Sequence, residues 1–387
     1  MKQPVQETDC PDPLLAGNPD PLLAGNQAAG DQTALLRTFD AAANRAAEGL
    51  RVVEDYVRFV LDDRHLTEVA KGLRHDLTAA LEPVPPAARH AVRDTRSDVG
   101  TTLTTKAEQS RRSAWDVCLA SFSRSQQALR SLEEFGKALQ PDAIQSNMGQ
   151  TFEGLRYRAY SLERAVDVTL ASCQRLETAL LYVLVSGGES PDEFDGLIRS
   201  VIGGGADVIQ LRDKSLSDRQ LVERARQLRE LTRDTKTLAI INDRPDIARL
   251  SHADGVHVGQ DELSVKDART IVGPHALIGV STHSIEQARS AVLDGANYIG
   301  IGPTFPSDTK AFEAYPGTDF VRDAAAEIRL PTFAIGGISA GNIRQVLRAG
   351  GTRVTVGSAI TGSSDPAQAT AALRERLSKG NVHDLRS

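Results

Sequence analysis

Short segments in the C-terminal half of the chain end in side chains that can grip phosphate and a divalent cation. QLRDK sets Gln210, Arg212 and Lys214 at alternate positions, so in an extended chain all three point to one side. Arginine supplies a fork of donors and lysine a point charge, a pairing that suits a cluster of anionic oxygens. INDR offers Asn242 as a donor to a phosphate or heterocycle and Asp243 as a hard oxygen ligand, and HVGQDE adds Asp261 and Glu262. Carboxylates beside basic groups make chemical sense when a metal ion and a polyphosphate lie between them. GPTFPSDTK brings the hydroxyls of Ser307 and Thr309 and the ammonium of Lys310 into a turn-rich loop that can close over an anion as a lid. AIGGI (Gly336, Gly337) and VGSA (Gly357, Ser358) supply glycines, which let backbone N–H groups approach a phosphate closely.

The N-terminal half carries a different polar pattern. Asn44, Glu48, Arg51, Asp55 and Arg58 recur at i, i+4, i+7, i+11 and i+14, a stripe that ordinary helix charge pairing also explains. Arg74 with His75, the run from Arg96 to Thr101, and Arg130, Glu133, Glu134 and Lys137 mix both signs as a phosphate and metal site would. No P-loop or Gly-rich kinase loop is present, so motifs alone assign no nucleotide site.

These groups need elements to hold them. After Leu176 short β-branched runs alternate with helical segments: ALLYVLV, DVIQL, LAIIN, GVHV, ALIGV, YIGI, TFAI and RVTV. Strands alternating with helices predict a parallel sheet with right-handed crossovers, and eight of them favour closure into a (βα)8 TIM barrel over an open doubly wound sheet. The polar clusters then fall at strand C-terminal ends, where such barrels do their chemistry. His257, between Val256 and Val258, is expected to be a satisfied barrel histidine outside the site.

Upstream, Ala46, Leu50, Val53, Val57 and Val60 define a helical stripe predicted to be buried. Further helices are expected around Leu66 to Leu81, Ala114 to Leu139 and Phe152 to Leu176, with Trp115, which shares its helical stretch with Val117 and Leu119, in the core. The tandem PDPLLAGN repeat at residues 11–26, rich in helix and strand breakers, reads as part of a flexible tail. The resulting organisation is α/β: a tail over residues 1–30, a mainly α-helical domain over 31–175 and the barrel over 176–387.

A length of 387 residues suits two folding units. A net charge of −6 argues against nucleic-acid binding through bulk positive charge while leaving room for small phosphorylated ligands. No apolar run approaches a membrane span or a signal peptide, and the three cysteines are odd in number and far apart, so a cytoplasmic protein is expected. Oligomeric state stays open, a homo-oligomer included.

QLRDK, IND, GVHVGQDE, GVSTHS, GPTFPSDTK, AIGGI and VGSA occur in the order and spacing of thiamine-phosphate synthases, and the resemblance covers residues 177–380. It implies a magnesium-dependent transferase that joins 4-amino-2-methyl-5-hydroxymethylpyrimidine diphosphate to a hydroxyethylthiazole phosphate, with or without a carboxylate, and releases diphosphate. By that resemblance Arg212, Lys214 and Lys310 are catalytic. Gln210, Leu211, Arg212, Asp213, Lys214, Asn242, Ser281 and Lys310 hold the pyrimidine diphosphate, and Ser307, Asp308, Thr309, Gly337, Gly357 and Ser358 the thiazole phosphate. Asp243 with Glu262 or Asp261 binds the metal. The family usually has Asp where Glu262 stands, so which of the two neighbours ligates is left open. DAAANRAAEGLRVVEDYVRF, KGLRH, RSDVGT and LEEFGK resemble the helical domain of alternative hydroxymethylpyrimidine-phosphate kinases. That implies ATP as co-substrate and a site drawn from Asn44, Arg45, Glu48, Arg51, Glu54, Asp55, Arg74, Arg96 and Asp98. The rival reading is a thiazole tautomerase-like barrel with a noncatalytic helical docking domain, which would not need the QLRDK, IND and TK set.

Overall fold

The structure is a computed structural model that describes residues 21–94, 110–139, 147–306 and 315–383. The first copy of the tandem repeat, Arg96, Asp98 and the loop residues Ser307, Asp308, Thr309 and Lys310 lie outside them.

Eight parallel strands close into a barrel in sequence order. They are β1 (Leu181–Val185), β2 (Val208–Leu211), β3 (Leu238–Asn242), β4 (Gly255–Val258), β5 (Leu277–Thr282), β6 (Tyr298–Ile301), β7 (Thr332–Ile335) and β8 (Val354–Val356). Between and after them run α6 (Pro191–Gly203), α7 (Asp218–Thr232), α8 (Pro245–Ser251), α9 (Val265–Val272), α10 (Ile285–Asp294), α11 (Gly317–Glu327), α12 (Ile343–Arg348), α13 (Ser358–Thr361) and α14 (Pro366–His383). All eight expected strands are present, and closure is made by β1 pairing with β8 through Leu181 and Val354. Serine hydroxyls start several crossover helices: Ser190, Ser217, Ser264 and Ser284 each accept the backbone N–H three residues on, meeting donors that the first helical turn leaves without partners.

The barrel interior is filled at its floor by Tyr182, Val208, Ile240, Leu277, Tyr298 and Phe333, with Leu176 and Ala179 beneath. The three rings pack edge-on or tilted at centroid separations of 5.3 to 5.9 Å, in the range where aromatic quadrupoles attract. A repeating clip fixes the strand starts. Asp207, just before β2, accepts from the N–H groups of Leu180 and Leu181; Asp254, before β4, accepts from Ala239; Asn297, before β6, accepts from Ile278. Each clip is backed by an arginine: Arg374, Arg229 and Arg269 respectively.

The N-terminal region is helical as expected: α1 (Pro21–Tyr56), a π-helical turn (Val57–Leu61), α2 (Arg64–Ala80), α3 (Pro86–Ala91), α4 (Ala114–Ala138) and α5 (Met148–Arg175). Helix α1 begins at Pro21, inside the second repeat copy, rather than at residue 31. A proline is tolerated there because first-turn N–H groups have no intrahelical acceptor. The expected buried stripe holds for Ala46, Leu50, Val53 and Val57 but fails at Val60, which is 56% exposed, while Leu61 is buried. The cause is the π turn, whose extra residue advances the buried face by one position. Trp115, expected in the core, is half-buried; Cys118 and Phe122, four residues apart, are the residues of this turn that are fully buried.

Packing divides the chain differently from composition. One compact unit comprises Met1–Glu48, Asp76–Ser110 and Arg124–Arg156; the other comprises Gly49–His75, Arg111–Ser123 and Tyr157–Ser387. The second unit is therefore the barrel plus a stem made of segments of α1, α2, α4 and α5. This stem meets the loops that precede strands. Asp63 accepts from the N–H of Arg329 at 2.9 Å, Cys173 donates to the Arg329 carbonyl, Arg164 donates to the Leu293 carbonyl and Arg175 to the His275 carbonyl. The stem thus sits on the N-terminal floor of the barrel. In the first unit, the buried rings of Phe39 and Phe152 meet edge-on at 5.9 Å, each burial contributing roughly 1.5–3 kcal/mol.

Candidate active site at the barrel mouth

Strand alternation sorts the QLRDK segment. Gln210, buried at the β2 end, follows Val208 on the interior face, whereas the Leu211 side chain belongs to the opposite, helix-facing side. Asp213 turns back to organise its own loop: it accepts from the N–H groups of Gly187, Ser215 and Leu216 and from the Ser215 hydroxyl. Partial burial acts to raise its pKa, but those hydrogen bonds outweigh it and hold the carboxyl below its ordinary value. Neither the Leu211 side chain nor the Asp213 carboxylate is therefore offered to a ligand in the mouth.

On β3 the interior residue Asn242 donates to Asp243 at 2.7 Å. Asp243 has φ +58°, a left-handed conformation that few non-glycine residues take and that aspartate tolerates best. The bend turns its carboxylate over the mouth, 3.9 Å from the Lys214 ammonium. Burial first, then the negative charge of Glu262, raises the Asp243 pKa, while Lys214, Asn242 and Arg212 oppose the rise. Glu262 and Asp243 are thus close enough to repel, and Lys214 and Arg212 stand around them. Asp261 is exposed. Among the described residues no cluster of three or more metal-ligating side chains occurs, so a cation here would rest on two carboxylates and on the ligand.

Ser281, on β5, faces the same opening. Its carbonyl accepts from Gln260 at 2.6 Å, which ties the β4 loop to β5. Its hydroxyl lies 2.9 Å from His257 Nε2, and His257 Nδ1 lies 3.3 Å from the Tyr298 hydroxyl. His257 is satisfied, as expected, yet it is one hydrogen bond from the mouth, and sequence reasoning did not connect it with Ser281. The available signal was glycine inside strands: a Cβ on Gly279 would come within 2.5 Å of His257 Nδ1, and such glycines mark close approach. Burial pushes the His257 pKa down to about 4, so the ring is neutral at physiological pH.

Gly336 and Gly337 end β7 with φ of +101° and +60°, and a Cβ on Gly337 would strike the Pro306 carbonyl at 2.4 Å. Glycine is needed there for backbone approach of the β6 loop whatever ligand the site takes. Gly357 and Ser358 lie beside them, since β7 and β8 are paired neighbours.

The helical candidates separate into local groups. In the first unit Asn44 donates to Asp40 at 3.4 Å, Arg45 and Glu48 are exposed, and Asp40, buried and absent from the expected set, accepts from Arg93 at 2.5 Å. Also in that unit Glu133 is buried among Arg130, Lys137 and Arg156 at 2.7, 3.3 and 3.0 Å. In the second unit Glu54 is buried and accepts from Arg74 at 2.7 Å. Arg51 and Asp55 form an exposed i,i+4 pair at 3.6 Å, of the kind that contributes only about 0.3–0.5 kcal/mol.

A closed barrel with acid and base converging at its strand ends defines the class of phosphate-handling (βα)8 enzymes. Residues 181–360 match the family described as thiamine monophosphate synthase, and residues 37–165 match the ThiD2 family. A thiamine-phosphate synthase of Rhodopirellula baltica is 45% identical over 354 residues, spanning 89% of this chain and 93% of its own length. One of Synechocystis sp. is 40% identical over 349 residues, spanning 90% and 98%. Among solved structures, a thiamine phosphate pyrophosphorylase of Pyrococcus furiosus is 33% identical with a TM-score of 0.49, covering 54% of this chain and 98% of that one. The chain belongs to the thiamine-phosphate synthase family, transferases of thiamine biosynthesis. Among the described residues no helix is long and apolar enough to cross a membrane.

Proposed function

We propose that the barrel condenses 4-amino-2-methyl-5-hydroxymethylpyrimidine diphosphate with hydroxyethylthiazole phosphate, or its carboxylated form, and that the helical domain makes the diphosphate from the monophosphate with ATP. The observation that carries the synthase reading is the convergence of Asp243, Glu262, Lys214 and Arg212 at neighbouring strand ends. The two carboxylates fit magnesium, which commonly takes one or two protein carboxylates and completes its shell with water and substrate phosphates. Asp243 and Glu262 would hold it, and when bound it supplies positive charge to the departing diphosphate.

Arg212 and Lys214 bind the diphosphate oxygens and neutralise charge as the bond from the pyrimidine methylene carbon to the diphosphate oxygen breaks. Gln210 and Asn242 orient that substrate, Ser281 meets its ring, and Lys310 closes on the phosphates. The methylene cation is then captured by the thiazole nitrogen, forming the new C–N bond of thiamine phosphate with diphosphate as the other product; the carboxylated thiazole phosphate additionally loses its carboxylate as carbon dioxide. Ser307, Asp308, Thr309, Gly337, Gly357 and Ser358 hold the thiazole phosphate in line, and exclusion of water protects the cation. For the helical domain the support is the ThiD2 match together with two buried acids paired to bases, Asp40 to the exposed Arg93 and Glu54 to the half-buried Arg74; mixed charge of this type can serve phosphoryl transfer.

The test gives full-length protein the pyrimidine monophosphate, thiazole phosphate, ATP and magnesium in one tube, and the pyrimidine diphosphate with thiazole phosphate and magnesium in another. Thiamine phosphate in both is expected. Product from the diphosphate alone would sink the kinase reading, and product in neither would sink both.

A further inference from the structure

The parallel ladder between β1 and β2 ends on a side chain. Its last backbone bond runs from the Arg212 N–H to the Val185 carbonyl at 2.8 Å. A continuing ladder would next take the Gly187 N–H to the Arg212 carbonyl; Asp213 Oδ2 accepts it instead, at 2.9 Å. The other carboxylate oxygen closes a tight turn, accepting from the Ser215 N–H at 2.8 Å, the Ser215 hydroxyl at 2.6 Å and the Leu216 N–H at 3.2 Å. Aspartate makes such turns readily because its short arm reaches amides just ahead in the chain. Lys214 is the residue that this turn encloses.

The joint is built from both sides. The Gly187 carbonyl accepts from Arg224 Nε at 2.7 Å, and Arg224, on α7, is 9% exposed, so both backbone groups of Gly187 are engaged. A Cβ on Gly187 would lie 2.4 Å from Leu216 Cδ1, a close approach that glycine permits. The loop after β1, the turn after β2 and α7 are held together at this point.

Charge gives the arrangement its meaning. A carboxylate standing free between two phosphate-binding cations would repel the phosphate or neutralise the cations. Asp213 does neither: its oxygens meet four donors, and among the described residues it forms no ion pair with Arg212 or Lys214. The Lys214 ammonium stands instead 3.9 Å from Asp243, over the mouth.

We infer that Asp213 is a positioning residue for Lys214: its carboxylate folds the turn that carries the ammonium to the mouth and docks that turn on the β1 loop, fixing the cation for the diphosphate. This rests on the proposed reading that Lys214 binds the diphosphate.

The test follows inorganic diphosphate as an inhibitor competing with the pyrimidine diphosphate in the synthase reaction of full-length protein, so that the barrel site alone is read. Lys214→Ala is expected to raise the inhibition constant about ten- to a hundredfold, the worth of a hydrogen bond to a charged group. Asp213→Ala is expected to raise it about five- to tenfold, with KM for thiazole phosphate unchanged. Asp213→Asn can still close the turn through its carbonyl oxygen but turns an N–H toward Gly187, and a rise of only about two- to threefold is expected. In the Lys214→Ala background Asp213→Ala is expected to add less than about twofold, because it acts through the lysine. The same factor in both backgrounds, or a KM for thiazole phosphate that rises alongside, would mark a merely structural role and overturn the inference. Asparagine costing as much as alanine would overturn it too, as would no effect of Asp213→Ala where Lys214→Ala has one. No effect of Lys214→Ala would strike that residue from the diphosphate reading and take the inference with it. Should Asp213→Ala fail to fold, Asp213→Ser, whose hydroxyl closes the turn more weakly, is expected to raise the constant about three- to fivefold, and a wild-type value refutes the inference.

Discussion

Replacing Asp63 by alanine should unseat the stem from the barrel floor. Asp63 is 1% exposed; one carboxylate oxygen accepts from the N–H of Leu66 at 2.7 Å, capping α2, and the other from the N–H of Arg329 at 2.9 Å. Loss of the cap costs about 1 kcal/mol, and leaving the partly buried Arg329 N–H unmet adds about 1–3 kcal/mol. Removing a poorly solvated carboxylate returns part of that, so a net loss of about 2–3 kcal/mol is expected for Asp63→Ala. Asp63→Asn keeps one acceptor oxygen and sheds the charge, so it should cost roughly half as much. The assay is guanidinium unfolding followed by Trp115, the only tryptophan of the chain, which lies in the stem 5.6 Å from the Tyr56 ring. The pH dependence has a definite sign. Burial raises the Asp63 pKa, so its ionised form is disfavoured in the folded state. Wild-type stability relative to Asp63→Asn should therefore fall as pH rises from the ordinary carboxylate range through the raised value. A change below about 0.5 kcal/mol for alanine, or asparagine costing more than alanine, would refute this account of the floor contact.

Asp243→Asn, which keeps a residue tolerant of the left-handed conformation, should abolish magnesium-dependent turnover while shifting Tm by no more than about 3 °C; calorimetry with magnesium and diphosphate checks the lost site. Because burial and Glu262 raise the Asp243 pKa, magnesium affinity in wild-type protein should weaken as pH falls through that raised carboxylate range, and a pH-independent affinity would contradict the assignment. Glu262→Gln should weaken magnesium binding about tenfold or more and Asp261→Asn by less than about twofold, since Glu262 is the neighbouring carboxylate whose charge raises the Asp243 pKa and Asp261 is exposed. Gly279→Ala forces a methyl to within 2.1 Å of Tyr298 Cζ; destabilisation of at least about 1–3 kcal/mol and a raised KM for the pyrimidine diphosphate are expected, measured by denaturation and steady-state kinetics.

The barrel was legible because its strands are short β-branched runs alternating with helical segments, a local signal. Local reasoning failed wherever a backbone irregularity or a distant partner decides the outcome. Val60 reads as core by helical spacing, and only the π turn before Asp62 exposes it. Asp213 reads as a phosphate neighbour, but its oxygens are used by backbone amides that sequence cannot place beside it. Asp40 looks like one acid among many until Arg89 and Arg93, some fifty positions on, converge on it at 3.9 and 2.5 Å. The His257–Tyr298–Tyr182 chain joins residues on β4, β6 and β1, which are not consecutive in sequence, so its members look like separate core residues until the barrel closes.

The clips before β2, β4 and β6 tie each of these three strands back to the odd strand that precedes it. In assembly terms three of the four strand pairs are stitched as pairs rather than as single staves, and these stitches lie on the floor with the stem. The mouth has ties of its own, Gln260 to the Ser281 carbonyl and the Gly187 N–H to Asp213, but these join loops rather than strand starts. A change in a mouth loop can therefore leave the floor clips intact, whereas an equally small change at the opposite face would loosen a stave pair and the stem's seat together.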